Sequence, residues 1–249
     1  MRLCVILQLL LFASITASAT APTNVPVDLV FAGNSPKNNH YGRLLVDVLN
    51  EISQRIGRNL KYRSCSPLNC AKLSKQGVVD GEIARAALYQ ELSPHSIRVN
   101  ESLFTMQTVL LSKDPDLTIS SWEQLKSSDL SIGYKYGIFA IKEKLDDGFD
   151  ESRIHGLLRW NSAVKKLREG LIDVYLSVFY GDIYRRLNSS TETLHVSGEF
   201  GEVAMYIYLS SGNESLKESF ARAIKTMKND GTMDALIEKA YGDNVGIGH

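Results

Sequence analysis

Short apolar segments alternate with amphipathic segments along most of the chain, and this alternation is the strongest constraint on its fold. Val27–Ala32 predicts a first strand. After a turn at Gly33–Pro36, apolar residues recur three and four positions apart until Gly57, as they do on one face of a helix. A second strand is predicted at Leu60–Arg63, and similar patterns continue to Tyr241. This order predicts an α/β fold.

Residues 1–19 have the pattern of a secretory signal peptide. Arg2 precedes an apolar run from Val5 to Ile15, and small residues lead up to a cleavage site after Ala19. The run is too short to span a membrane as a mature helix, and no later stretch approaches that length. We therefore predict export, a periplasmic location and a mature chain without a membrane-inserted segment.

Charge and cysteine content narrow the possible functions. The chain has 28 Lys+Arg and 28 Asp+Glu and no basic block, so neither nucleic acid nor an anionic membrane surface is an expected partner. Beyond the signal segment the cysteines are Cys65 and Cys70. In an oxidising compartment a disulfide is favoured over a metal site, because no His pair lies near them in sequence. No metal or other cofactor is predicted, since the five histidines show no metal-ligand spacing.

Five stretches in order resemble the family-3 extracellular solute-binding proteins, the periplasmic components of polar amino-acid uptake systems. They are a glycine-led first helix, an "x-G-x-x-D" element, the opening of a second lobe, a helix ending in "G-x-x-D", and a closing motif. In this sequence they stand at Gly42–Leu49, Gln76–Asp80, Ile119–Leu125, Asn161–Asp173 and Asn229–Met233, the last followed by Tyr241-Gly242.

The resemblance implies a two-lobed, class II periplasmic-binding-protein fold, in which each lobe is a mixed sheet flanked by helices. Lobe 1 would comprise residues 20–107 and 207–249, and lobe 2 residues 108–206. Two hinge strands, Met106–Lys113 and Val203–Leu209, would join them. A monomer of this kind is expected to close on a small polar ligand, amino-acid-like or another carboxylate, and to serve an ABC permease or a membrane sensor.

The arginine with which family members hold a ligand carboxylate is missing here. The corresponding stretch of this sequence is Glu91–Pro94, which contains no arginine. An arginine instead occurs earlier, as Arg85, at the end of the predicted third strand. Arg85 could bind the carboxylate from a different direction, and a structural salt bridge is the alternative. Arg98 is a second candidate for binding the carboxylate, and a structural role is the alternative.

Two further features of the family differ in this sequence. The turn glycine Gly137 is retained, but Ile138 and Phe139 follow it in place of hydroxyl side chains. Backbone N–H groups at a helix start can still meet an anion there. The family's ammonium-binding aspartate is also missing, and Asp182 lies later, where a helix cap is the competing interpretation. A ligand other than a standard amino acid therefore stays open.

Aromatic residues are frequent in the loops that leave the predicted strand ends. Their faces suit a flat or cationic part of a ligand, although each could instead pack in the core. The candidate ligand-binding residues are Asn34, Tyr41, Arg85, Tyr136, Gly137, Ile138, Trp160 and Tyr180.

An enzyme on the same fold, such as a periplasmic dehydratase, is the alternative from another functional class. The sequence contains no H-E-x-x-H or G-x-S-x-G motif. A His or Glu within hydrogen-bond reach of a ligand's leaving group would favour that alternative. The sequence favours a binding protein without catalytic residues.

Overall fold

A continuous path of paired strands organises the computed structural model, which describes residues 28–178, 194–242 and 247–248. The predicted signal peptide lies outside these residues. The order across the sheet is β2-β1-β3-β9-β5-β8-β6-β7, with β4 and β10 paired to β9 and β5. The strands are β1 (Leu29–Gly33), β2 (Leu60–Ser64), β3 (Gly81–Ala86), β4 (Ile97–Arg98), β5 (Phe104–Ser112), β6 (Ile132–Lys135), β7 (Ile154–Leu157), β8 (Val174–Val178), β9 (His195–Leu209) and β10 (Ile247–Gly248).

Helices follow most of the strands and pack on the sheet. Among the helices of residues 28–178 and 194–242, none combines the length and the apolar character needed to cross a membrane. The helices are α1 (His40–Ile56), α2 (Pro67–Lys75), α3 (Tyr89–Leu92), α4 (Trp122–Ser127), α5 (Phe139–Asp146), α6 (Trp160–Arg168), α7 (Lys217–Asn229) and α8 (Thr232–Tyr241), with 3₁₀ turns at Glu151–Arg153 and Glu214–Leu216.

The strand pairing divides the sheet into two lobes joined by β5 and β9. Strands β1, β2 and β3 run parallel, and β3 pairs with the last residues of β9, up to Leu209. Strands β6, β7 and β8 also run parallel, and β8 pairs with β5 over residues 108–112. The long strands β5 and β9 pair with each other through both lobes. The predicted two-lobed α/β fold is therefore confirmed, whereas the exact lobe boundaries stay predictions.

Helix α1 forms where the apolar spacing predicts it. The Asn39 side chain accepts a hydrogen bond from the Gly42 N–H, which caps the start, and Gly57 ends the helix in the left-handed conformation at φ 63°. The apolar stripe of the helix is buried against lobe 1. Burial of one such leucine or isoleucine side chain contributes about 1.5–3 kcal/mol. The buried stripe consists of Leu44, Leu45, Val48, Leu49 and Ile52.

The disulfide between Cys65 and Cys70 is present, and it connects the end of β2 to the first turns of α2. The sequence pattern predicts a helix only from Ala71, but α2 begins at Pro67. Proline fits the first helical position because its fixed φ suits a helix. It also lacks the N–H group that would have no partner within the helix at this position. Cys70 is fully buried beside Ala32 and Val79. The bridge therefore fixes the start of α2 against β1.

The predicted starts of two other elements, α6 and β9, are wrong, and the start of β9 is wrong by eight residues. Helix α6 begins at Trp160 rather than after a cap at Asn161, which places the indole in the first helical turn. Strand β9 begins at His195, eight residues before the predicted Val203, because it continues through lobe 2 as the partner of β5. Both differences lengthen elements that border the space between the lobes.

Removal of the disulfide should lower the free energy of unfolding by about 2 kcal/mol, because the closed loop is short and restricts the unfolded chain only modestly. We expect this loss when the Cys65→Ser/Cys70→Ser variant and the parent mature chain are unfolded in urea at neutral pH. Unfolding of the parent in the presence of a reductant is the matched control and should show a similar loss. Equal stability of the variant and the oxidised parent would contradict this assignment.

Candidate functional site

A cavity of about 500 Å³ lies between the lobes, at the carboxyl ends of the parallel strands. This is where open α/β sheets bind ligands, and the volume suits a small molecule. Six of the predicted site residues line it: Asn34, Tyr41, Tyr136, Gly137, Ile138 and Trp160. Tyr180 and Asp182 lie outside the described residues. The lining residues that the sequence analysis did not single out are Ser35, Pro36, Asn39, Ser66, Pro67, Leu68, Lys135, Leu158, Tyr175 and Ser177.

The loop after β1 is held in place by Tyr62. The Tyr62 ring packs so closely on Gly33 that a Cβ atom added at residue 33 would lie only 2.4 Å from the ring carbon Cε2. Its hydroxyl donates to the Ser35 carbonyl at 2.6 Å, and burial raises the pKa of Tyr62 to about 12. The Ser35 hydroxyl in turn donates to the Asn39 side chain at 2.8 Å. These contacts give lobe 1 a fixed wall at the cavity.

Asn34 follows β1 and borders both the main cavity and a smaller one of about 50 Å³ next to it. Its amide oxygen Oδ1 is buried and accepts no hydrogen bond from any described residue. Buried polar atoms of this kind normally have a partner. Asn34 is thus an acceptor placed between the lobes.

The turn after β6 brings lobe 2 into contact with lobe 1. Gly137 has φ 88°, in the left-handed region that glycine adopts without strain, and a Cβ there would lie 3.4 Å from Pro67 Cγ. The side chain of the preceding Tyr136 is 47% exposed and packs over Gly156. The turn therefore favours glycine for its backbone conformation, and it lies against Pro67 of lobe 1.

Aromatic residues form a second wall, on lobe 2. Trp160 begins α6, and its ring meets that of Tyr175 edge to face at 5.9 Å between centroids. Tyr41 borders the cavity too, but it is only 2% exposed, and its hydroxyl lies 3.7 Å from the Met106 sulfur. Trp160 thus faces the space between the lobes, whereas Tyr41 is mainly a core residue.

Arg85 borders the smaller cavity together with Gly137 and Ile138 of lobe 2. Its guanidinium, however, is engaged within lobe 1. Nε donates to Glu82 Oε2 at 2.8 Å, and Nη2 donates both to the same oxygen and to the Pro67 carbonyl, the latter at 2.8 Å. Glu82 is fully buried. These contacts favour the structural salt bridge, and ligand binding by Arg85 stays a prediction.

A β-bulge makes this ion pair possible. Residues three apart on a regular strand point to opposite faces. Between Glu82 and Arg85 the register of β3 against β9 shifts, and Ala84 takes φ 60°. Tyr89 completes the cluster, because its hydroxyl donates to Glu82 and its ring lies under the Arg85 guanidinium at 4.8 Å. Burial and the adjacent Glu82 carboxylate raise the pKa of Tyr89.

Arg98 has a structural environment. It lies in β4, and its guanidinium stacks over the Tyr206 ring at 4.9 Å. It does not border either of the two cavities in the described part of the chain.

Lys135, which the sequence analysis did not single out, is the cation of the main cavity. It ends β6, is half-buried, and its Nζ donates to the Leu158 carbonyl at 2.6 Å. Burial lowers the pKa of Lys135. The signal available in the sequence was its position, directly after the apolar strand residues and two before Gly137. The described residues that line the main cavity include no Asp, Glu, His or Cys.

Comparison with known proteins agrees with this geometry. The sequence pattern of the "Bacterial extracellular solute-binding proteins, family 3" matches residues 31–243. The chain belongs to this family. An uncharacterized protein of Shewanella oneidensis is 20% identical to this chain over 226 residues. The match covers 89% of this chain and 84% of the Shewanella protein.

Solved structures share the fold at low sequence identity. A histidine kinase sensor domain with similarity to periplasmic binding proteins superposes with a TM-score of 0.72 and 13% identity, over 87% of this chain and 97% of the other. An amino acid ABC transporter substrate-binding protein from Streptococcus pneumoniae, bound to L-arginine, superposes with a TM-score of 0.67 and 18% identity. The match covers 86% of this chain and 94% of the other. The TM-scores show a common fold, and at these identities the likeness is limited to the fold.

The Glu82–Arg85 pair gives a test that separates the two interpretations of Arg85. Loss of one partner of a buried ion pair typically costs about 3–5 kcal/mol, because a buried charge is left uncompensated. We therefore expect Arg85→Ala and Glu82→Ala each to lower the free energy of unfolding by about that amount in urea titrations.

The exposed Lys239–Asp47 pair provides the matched control. Its atoms lie 2.8 Å apart and the Lys239 side chain is 69% exposed, so Lys239→Ala should cost about 1 kcal/mol or less. If Arg85→Ala leaves stability unchanged and abolishes ligand binding, the structural role of Arg85 is wrong and the carboxylate-binding role is correct.

Proposed function

We propose that this protein is a periplasmic solute-binding protein that closes its two lobes on a small polar ligand, amino-acid-like or another carboxylate. The observation that carries the proposal is a cavity lined by both lobes, with Asn34, Pro67 and Leu68 on one side and Lys135, Tyr136 and Trp160 on the other. A ligand that contacts both lobes favours the closed arrangement over the open one.

The charge and chemistry of the lining support binding rather than catalysis. The His or Glu that would favour a dehydratase-like enzyme is not among the described lining residues, and neither is Asp. Lys135 and the lining tyrosines are groups that can transfer protons, but the described lining holds no carboxylate or imidazole to act with them. The two solved structures of similar fold are named as a substrate-binding protein and a sensor domain.

We propose a membrane permease or a membrane sensor as the partner that receives the closed form. Solved structures of both kinds, an ABC transporter component and a histidine kinase sensor domain, share this fold. Export through the predicted signal peptide would place the protein where either partner could meet it. The mature chain would act as a monomer without a cofactor.

Thermal unfolding of residues 20–249 against a ligand panel tests the proposal. The panel contains L-arginine, L-glutamine and L-cystine, which are named for relatives of this fold, together with organic acids, polyamines and short peptides. A ligand present at about 100 times its Kd adds about 2.7 kcal/mol of stability. For a chain of this size that corresponds to a rise of about 5–10 °C in Tm.

Tyr136→Ala should reduce the ligand-induced rise in Tm while leaving the Tm of the free protein nearly unchanged. The side chain is 47% exposed in the cavity wall, and truncation of surface side chains usually changes stability by less than about 0.5 kcal/mol. Leu171→Ala is the matched control, because Leu171 is 56% exposed and does not line the main cavity. An equal ligand-induced rise in both variants would place binding outside this cavity.

A further inference from the structure

The charges around the main cavity are asymmetric. Lys135 is a half-buried cation in the wall, and its Leu158 contact uses one of the three ammonium N–H donors. No carboxylate of a described residue lies within 4.0 Å of Lys135 as an ion-pair partner, and none stands among the described lining residues. The ammonium group is therefore not neutralised by the described part of the chain.

Helix starts add to the positive character of the cavity. Helices α2 and α6 begin at the lining residues Pro67 and Trp160, and α5 begins directly after the lining residue Ile138. The residues that precede these three helices, Ser66, Ile138 and Arg159, make no side-chain cap hydrogen bond. The amino ends of helices carry partial positive charge. Their field and that of Lys135 favour an anion in the same space.

The remaining lining is largely apolar and aromatic. Leu68 of lobe 1 is 59% exposed and Leu158 of lobe 2 is 71% exposed, and both border the cavity. The aromatic residues Tyr136 and Trp160 line the same space. Large exposed apolar side chains concentrated at one place commonly mark a binding site. Here they suit a flat apolar group that becomes enclosed when the lobes meet.

Resting on the proposed function, we infer that the ligand is an organic anion with a flat apolar body and no ammonium group, such as an aromatic carboxylate. Lys135 would hold the carboxylate, and the rings and leucines would enclose the body. A standard amino acid would bring an ammonium group next to Lys135 and three helix starts; Asn34 Oδ1 offers it one neutral acceptor, but no described carboxylate of the lining balances its charge. Transfer of such an unpaired charge from water is unfavourable.

Three compounds of nearly equal size test this inference by titration calorimetry on residues 20–249. They are 3-phenylpropanoate, L-phenylalanine, which adds an ammonium group to it, and phenethylamine, which keeps only the ammonium group. We expect 3-phenylpropanoate to bind at least about tenfold more tightly than L-phenylalanine, and phenethylamine to bind most weakly. Tightest binding of phenethylamine would show instead that the aromatic wall recognises a cation.

The variant Lys135→Gln tests the assigned cation, because an amide can keep a hydrogen bond to the Leu158 carbonyl without the charge. We expect it to weaken 3-phenylpropanoate binding by about ten- to a hundredfold and to leave phenethylamine binding unchanged or tighter. Lys165→Gln is the control, because Lys165 lies on α6 with a 74% exposed side chain and outside the main cavity. Equal affinity in the two variants would overturn the role of Lys135.

The outcomes separate this inference from the proposed function. If L-phenylalanine or another amino acid of the panel binds more tightly than 3-phenylpropanoate, the ligand class is wrong and the solute-binding function stands. If 3-phenylpropanoate does not bind but an amino acid, polyamine or peptide of the panel raises the Tm, the same conclusion follows, whereas an organic acid that raises the Tm supports the ligand class. If neither the three compounds nor the panel bind, both proposals fail.

Discussion

The antiparallel pairing of β5 with β9 is the interaction on which the rest of the structure depends. Both strands run through the two lobes, and each lobe attaches its parallel strands to one of them, β3 to β9 and β8 to β5. This attachment turns the carboxyl ends of both parallel sets toward a common space. Loops from both lobes therefore line the cavity, although the residues that form it are far apart in sequence.

Buried polar contacts then fix the lobe 1 side of that space before any ligand is present. Tyr62 holds the loop after β1, and the Glu82–Arg85 pair holds the Pro67 carbonyl at the start of α2. Pro67 meets Gly137 of lobe 2. Because these groups are already paired, they shape the wall, while the charge available to a ligand comes from Lys135.

The sequence predicts the regular elements well and the ionic contacts poorly. The apolar period of α1 and its stop at Gly57 are local signals, and the disulfide was favoured by the oxidising compartment. The Glu82–Arg85 pair could not be predicted, since residues three apart on a strand should face opposite ways and only the bulge at Ala84 brings them together. Lys135 was missed because a lysine after a strand looks like a solvated surface residue, and only the fold brings the Leu158 carbonyl to it and places it in the cavity wall.

The central claim, that the two lobes close on an organic anion, is tested most directly by a distance across the cavity. Spin labels at Lys37→Cys and Arg159→Cys would stand on opposite lobes, at exposed positions next to the lining residues Pro36 and Trp160. A pair at Lys37 and Lys72, both on lobe 1, serves as the control. With saturating 3-phenylpropanoate, we expect a shorter distance between the lobes and an unchanged distance within lobe 1. An interlobe distance distribution that is the same with and without the compound would contradict it.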